Sequence, residues 1–60
     1  MHTIEELHKC AKRELGMRRG VYPRWVASGK MKETAAAKEI ELMEAITAHF
    51  AQLLEKEELL

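Results

Sequence analysis

Apolar residues in this chain recur at steps of three and four over two long stretches, with polar residues filling the positions between. That spacing belongs to amphipathic helix. The first stretch carries Leu7, Cys10, Ala11 and Leu15, then Met17 or Arg18, a narrow apolar stripe. The second carries Ala36, Ile40, Met43, Ile46 or Thr47, Phe50, and Leu53 or Leu54, and Leu42, Ala45 and His49 widen it. A stripe this broad can serve one neighbour within the chain and another from a second copy. Thr3-Ile4-Glu5-Glu6 has the form of a capping box and sets the start of the first helix.

The two patterns are divided by Arg18-Arg19-Gly20-Val21-Tyr22-Pro23-Arg24-Trp25-Val26-Ala27-Ser28-Gly29-Lys30, which holds the only Pro, Trp and Tyr of the chain. Proline removes a backbone donor, and it biases the residue before it away from helix. A kink or break is therefore expected at Tyr22–Pro23. Gly29 is the natural left-handed stop. The resulting division is helix 3–22, short helix 23–28, turn 28–31 and helix 32–57, with Lys32 a weak N-cap for the last. Folding about the turn places Trp25 near Ala36, Val21 near Ile40, Met17 near Met43, Leu15 near Ile46, Ala11 near Phe50 and Leu7 near Leu53 or Leu54. The expected fold is all-α: an antiparallel helical hairpin, kinked or broken at Pro23.

Length turns that hairpin towards a dimer. At 60 residues folding buries only about 60% of the unfolded chain's surface, and small domains of this kind lean on disulfides, metals or partner chains. Cys10 is the only cysteine, so an intrachain disulfide is impossible, and His2, His8 and His49 match no zinc spacing. Association remains. Two hairpins pairing into a four-helix bundle would cover the second helix's stripe of Ile40, Met43, Ile46, Phe50, Leu53 and Leu54.

Composition agrees with helix, since Glu, Lys, Ala, Leu, Met and Arg dominate and every acidic residue is Glu. The net charge is zero, yet residues 1–32 hold eight basic against three acidic side chains and residues 33–60 two against seven. The simpler expectation is that the halves fold together and their charges pair across the rim, with arginines meeting Glu33, Glu41 and Glu44. The other is that the basic half meets an anionic partner such as nucleic acid. No apolar run approaches the roughly 20 residues that span a bilayer, and the N-terminal residues lack a secretory apolar core. A cytoplasmic protein is expected, with no membrane partner.

The run Arg19-x-Val21-Tyr22-Pro23-Arg24-Trp25-Val26-x-x-Gly29-Lys30-Met31, followed by Glu39-Ile40-x-x-Met43-Glu44-Ala45-Ile46, resembles a group of small phage- and prophage-encoded bacterial proteins. The resemblance spans most of residues 10–50. It implies a cytoplasmic accessory protein of phage origin and carries over no catalytic residues.

Candidate chemistry is sparse. Cys10 with His8 or His49 is a conceivable thiolate–imidazole pair, but no orienting acid or oxyanion feature accompanies it. A buried structural cysteine is the simpler expectation. The pairs Glu41/Glu44 and Glu55/Glu58 read as solvated faces, and Met17, Met31 and Met43 as core fillers. An enzyme is not expected, and no metal, cofactor or small-molecule substrate is called for. Arg18, Arg19, Tyr22, Arg24, Trp25 and Lys30 carry more weight. Trp, Tyr and Arg are the usual anchors of protein interfaces, and the same groups hold phosphates and stack bases. The expected function is non-enzymatic binding of a host or phage protein by a homodimer. Nucleic-acid binding by the basic half is the alternative, and a purely structural helical assembly element is a third.

Overall fold

A computed structural model describes residues 1–59. They form two α-helices, α1 (Ile4–Ala27) and α2 (Glu33–Leu59), packed as an antiparallel hairpin 47 Å long and 17 Å wide. The all-α hairpin read from the periodicity is the fold. No helix among the described residues is long and apolar enough to cross a membrane.

α1 starts where the capping box places it. The Glu6 amide donates to Thr3 Oγ1 at 3.1 Å, and the Glu6 carboxylate stands 3.4 Å from the same hydroxyl. Glu5 and Glu6 lie in the first turn, where negative charge meets the positive end of the helix dipole. The helix then runs without interruption through Pro23 to Ala27. This corrects the division into helices 3–22 and 23–28. Proline costs the helix one donor, but Tyr22 and Val26 are both half-buried against α2. They stand on one face only if the helical phase carries across Pro23, so packing on either side outweighs the lost bond. Pro23 itself is exposed.

The helix ends in a Schellman motif. The Gly29 amide donates to the Val26 carbonyl at 3.1 Å and the Lys30 amide to the Trp25 carbonyl at 2.8 Å. Gly29 has φ 79°, the left-handed region that favours glycine. α2 starts at Glu33, with the Lys32 carbonyl accepting from the Ala36 amide at 3.0 Å.

The two helices meet along one seam. On α1 it runs through Ile4, His8, Ala11, Leu15, Arg18 and Tyr22, and on α2 through Ala36, Ile40, Met43, Thr47, Phe50 and Leu54, all buried or half-buried. Steps of four and three alternate without a slip on both helices, the seven-residue pattern of antiparallel coiled-coil packing. Ala11, Leu15 and Met43 form its centre, with Ile40 and Phe50 packed against them. Leu7 and Cys10 differ from the sequence reading, and the choices it left open, Met17 or Arg18 and Ile46 or Thr47, fall to Arg18 and Thr47. Thr47, not Ile46, lies in the seam, its hydroxyl donating back to the Met43 carbonyl at 2.8 Å. Leu7 and Met17 are exposed. Cys10 is exposed too, correcting the expectation of a buried structural thiol. The cause is common to all of them: a strict repeat of four and three admits His8 and Arg18 and turns Leu7, Cys10 and Met17 outward, although the latter are the more apolar.

Gly16 and Gly20 sit inside α1, and a Cβ at either would meet nothing within 4 Å. Gly16→Ala and Gly20→Ala should each stabilise the hairpin by about 1 kcal/mol, the difference in helix propensity. Gly29→Ala should destabilise it by about 1 kcal/mol through its positive φ. Thermal unfolding followed by circular dichroism checks all three, about 1 kcal/mol being worth roughly 4–8 °C in a chain of this size.

Candidate functional site

Six residues near the turn carry the candidate contact chemistry, and α1's last three turns hold five of them. Their roles in the fold divide them. Arg18 falls on the seam, so its stem lies between the helices and only its head reaches the rim. The side chain is 21% exposed. Nε donates to Glu14 Oε1 at 3.0 Å and Nη1 to the Glu39 carbonyl at 2.8 Å, with the Glu39 carboxylate 3.7 Å away. The hydrogen bond to Glu14 chiefly holds the guanidinium in its charged form and raises its pKa, with smaller contributions from Tyr22 and Glu39. Arg19 crosses the opposite rim to Glu44 at 2.7 Å. Both arginines thus join α1 to α2, Glu44 being one of the acids expected from sequence and Glu14 and Glu39 taking the place of Glu33 and Glu41.

Nearer the turn, the side chains stay open. Trp25 is 43% exposed. Its ring stacks on Tyr22, centroids 5.5 Å apart and planes 26° from parallel, and the Arg18 guanidinium stands 6.0 Å from the Tyr22 ring centre. Tyr22 is half-buried in the seam, so the stack ties an exposed indole to the helix pair. The Trp25 carbonyl accepts from both the Lys30 amide and Ser28 Oγ, the latter at 3.2 Å. Arg24 is exposed and turns its Nε back to the Gly20 carbonyl at 3.3 Å, and Lys30 is exposed beyond the cap.

Sequence reading missed a hollow beside this stack. Tyr22, Pro23 and Val26 of α1 and Glu33, Ala36, Ala37 and Ile40 of α2 line a cavity of about 300 Å³. Its origin is the run Ala35-Ala36-Ala37: methyl groups are too short to fill the space that Tyr22 holds between the helices. The alanine run opposite Pro23 was the signal. Tyr22 belongs to both features, one ring face on Trp25 and the side chain on the hollow.

Of the stripe assigned to the core or a dimer contact, Met43 is buried and Ile40, Phe50, Leu53 and Leu54 are half-buried, whereas Ile46 is exposed. His8 is half-buried in the seam, while Cys10 and His49 are exposed, and His49 packs edge-on against Phe50 with centroids 5.8 Å apart. Among the described residues no three His, Cys, Asp or Glu side chains are grouped to hold a metal. Comparison of the chain with protein-family models, with curated proteins and with solved structures gives no match in any of the three.

Arg18 acts as both filler and clasp, and the two parts separate by substitution. Arg18→Ala should lower the thermal midpoint more than Arg18→Met, which keeps an unbranched apolar stem in the seam. Raising salt to about 1 M should narrow the gap between wild type and Arg18→Met, because what remains is ionic. Thermal scans of the three chains at two salt concentrations read both effects.

Proposed function

We propose that this chain is a non-enzymatic accessory protein, of the phage and prophage kind its Val-Tyr-Pro-Arg-Trp-Val run resembles, that acts as a homodimer and binds a host or phage protein through the turn end of the hairpin. The observation that carries the reading is Trp25. A large aromatic ring stands 43% exposed yet is held in place by the Tyr22 stack and by the cap. An anchor fixed before binding gives contact area with little ordering cost. The hollow between Pro23, Val26, Ala36 and Ala37 adds a recess for an apolar side chain of the partner, and Arg24 adds an exposed guanidinium at the rim.

Nucleic-acid binding is the second reading, motivated by the exposed Lys12, Arg13, Arg24, Lys30 and Lys32. Against it, Arg18 and Arg19 are engaged with Glu14, Glu39 and Glu44, which leaves a thinner field for phosphates.

Affinity capture from a host lysate, with wild type, Trp25→Ala and Arg24→Glu compared, tests the first reading. Wild type should retain a partner that both variants lose while helicity is unchanged, and equal recovery by all three would remove the tip as the site. Fluorescence anisotropy with labelled duplex and single-stranded DNA tests the second. Weak association at low salt that vanishes at physiological salt is expected, whereas tight binding that persists there would put nucleic acid first.

A further inference from the structure

Apart from Met1, which precedes α1, every large apolar side chain the structure leaves exposed among the described residues lies on one side of the hairpin. On α1 these are Leu7, Met17 and Trp25, and on α2 Leu42 and Ile46, between 40% and 51% exposed. At about 100° per residue each stands roughly 60–140° from the seam, in the same sense on both helices. In an antiparallel pair the same sense means the same side. The ion pairs fix the geometry independently: Arg19 meets Glu44 across one rim, while Glu14 and Glu39 flank Arg18 on the other, which is the apolar side. Cys10 and the half-buried Leu53 continue this side along each helix. Lys12, Arg19, Glu44 and Glu55 occupy the opposite side.

We infer that this side is the contact face of a homodimer in which two hairpins lie face to face with their turns at the same end. The inference rests on the two-copy part of the proposed function and names its face and orientation. Size is the first argument. A side 47 Å by 17 Å amounts to on the order of 800 Å², so that even without its turn end it offers most of what each partner contributes to a standard interface. Burial is the second. The seam buries only Ala11, Leu15, Ala36 and Met43 among the described residues, none of them completely, and it gives positions to His8 and Arg18 while Leu7, Cys10 and Met17 face out. A chain folding alone gains by the reverse choice. A chain that covers both faces does not.

Charge sets the orientation. α1 carries six basic and three acidic side chains, and α2 two basic and seven acidic. With turns together, α1 of one copy lies on α2 of the other, opposite charge on opposite charge. With turns apart, α1 lies on α1 and α2 on α2, like on like. On α2 the exposed large residues stop at Leu42, and Lys38 and Glu39 follow towards the turn, so Trp25 stands past the end of the contact. The dimer then presents two Trp25 rings at one end, a bivalent docking surface whose avidity exceeds that of a single tip.

Sedimentation equilibrium at tens of micromolar should give the dimer mass. Ile46→Glu should weaken association about a hundredfold, and Ala48→Glu, on the charged side, should leave it unchanged. In a Cys10→Ser/Lys32→Cys chain, spin labels on the two copies should lie within about 30 Å of each other, given helix spacings near 10 Å. A distance near the 47 Å length of the hairpin overturns the orientation while leaving the dimer, and association unaffected by Ile46→Glu overturns the face. A monomer mass for the wild type overturns the inference together with the dimer it rests on, whereas partner capture sensitive to Trp25→Ala reports on the tip separately. Should Ile46→Glu fail to fold, Leu42→Glu on the same side takes its place with the same two outcomes, and weakening by Ala48→Glu overturns the face.

Discussion

Two helices can share only one seam, and the rest of this structure follows from that limit. A seam buries one face of each helix, and here it buries only two alanines, one leucine and one methionine among the described residues. Hydrophobic burial scales with the area removed from water, so a core this thin has to be supplemented at its edges. Arg18 does this in two ways, with its stem in the seam and its head tied to Glu14 and Glu39. Arg19 and Glu44 close the other rim. These are partly exposed contacts and each contributes modestly. Their larger effect is to fix register, because a guanidinium reaching a named carbonyl across the seam tolerates no slip of a turn.

The turn and the aromatic stack form one unit. Gly29 takes the left-handed conformation, which lets the Lys30 amide reach the Trp25 carbonyl. Trp25 is thereby fixed through its backbone by the cap and through its ring by Tyr22. Tyr22 in turn is fixed by the seam and borders the hollow left by Ala36 and Ala37. A residue that caps a helix, one that packs between helices and one that stays exposed are thus mechanically linked within eight positions of sequence. Stiffness at the turn end would lower the entropy lost in the docking proposed there.

Much of this was legible beforehand, and what was not has a physical reason. The capping box, the Gly29 stop, the α2 stripe and the antiparallel hairpin all follow from local rules, and local rules held. Of the kink or break left open at Pro23, the break misled, because the proline costs one hydrogen bond whereas breaking the helix would have thrown Tyr22 and Val26 out of phase with α2. The α1 face misled for a different reason. Apolar character pointed to Leu7, Cys10 and Met17, while the seam follows an unbroken repeat of four and three that takes in His8 and Arg18. Polarity alone cannot distinguish two overlapping stripes on one helix, and the choice between Ile46 and Thr47 on α2 turned on the same ambiguity. Of the candidate site, Trp25 and Tyr22 were readable as residues, but their stacking and the adjoining hollow depend on where α2 lies.

The hairpin brings the start of α1 and the far end of α2 together, at the opposite end from Gly29 of a molecule 47 Å long. Mechanically this is a strut. Anything joined at the paired ends is held a fixed distance from whatever the turn engages, since neither helix is interrupted and the turn is only five residues long. Load applied between the two ends of the strut would run along the helix axes, where backbone hydrogen bonds resist in series. Load prising the helices apart at their open end would instead meet the seam one layer at a time, unzipping it towards the turn. A spacer built this way is stiff to pushing and weak to peeling.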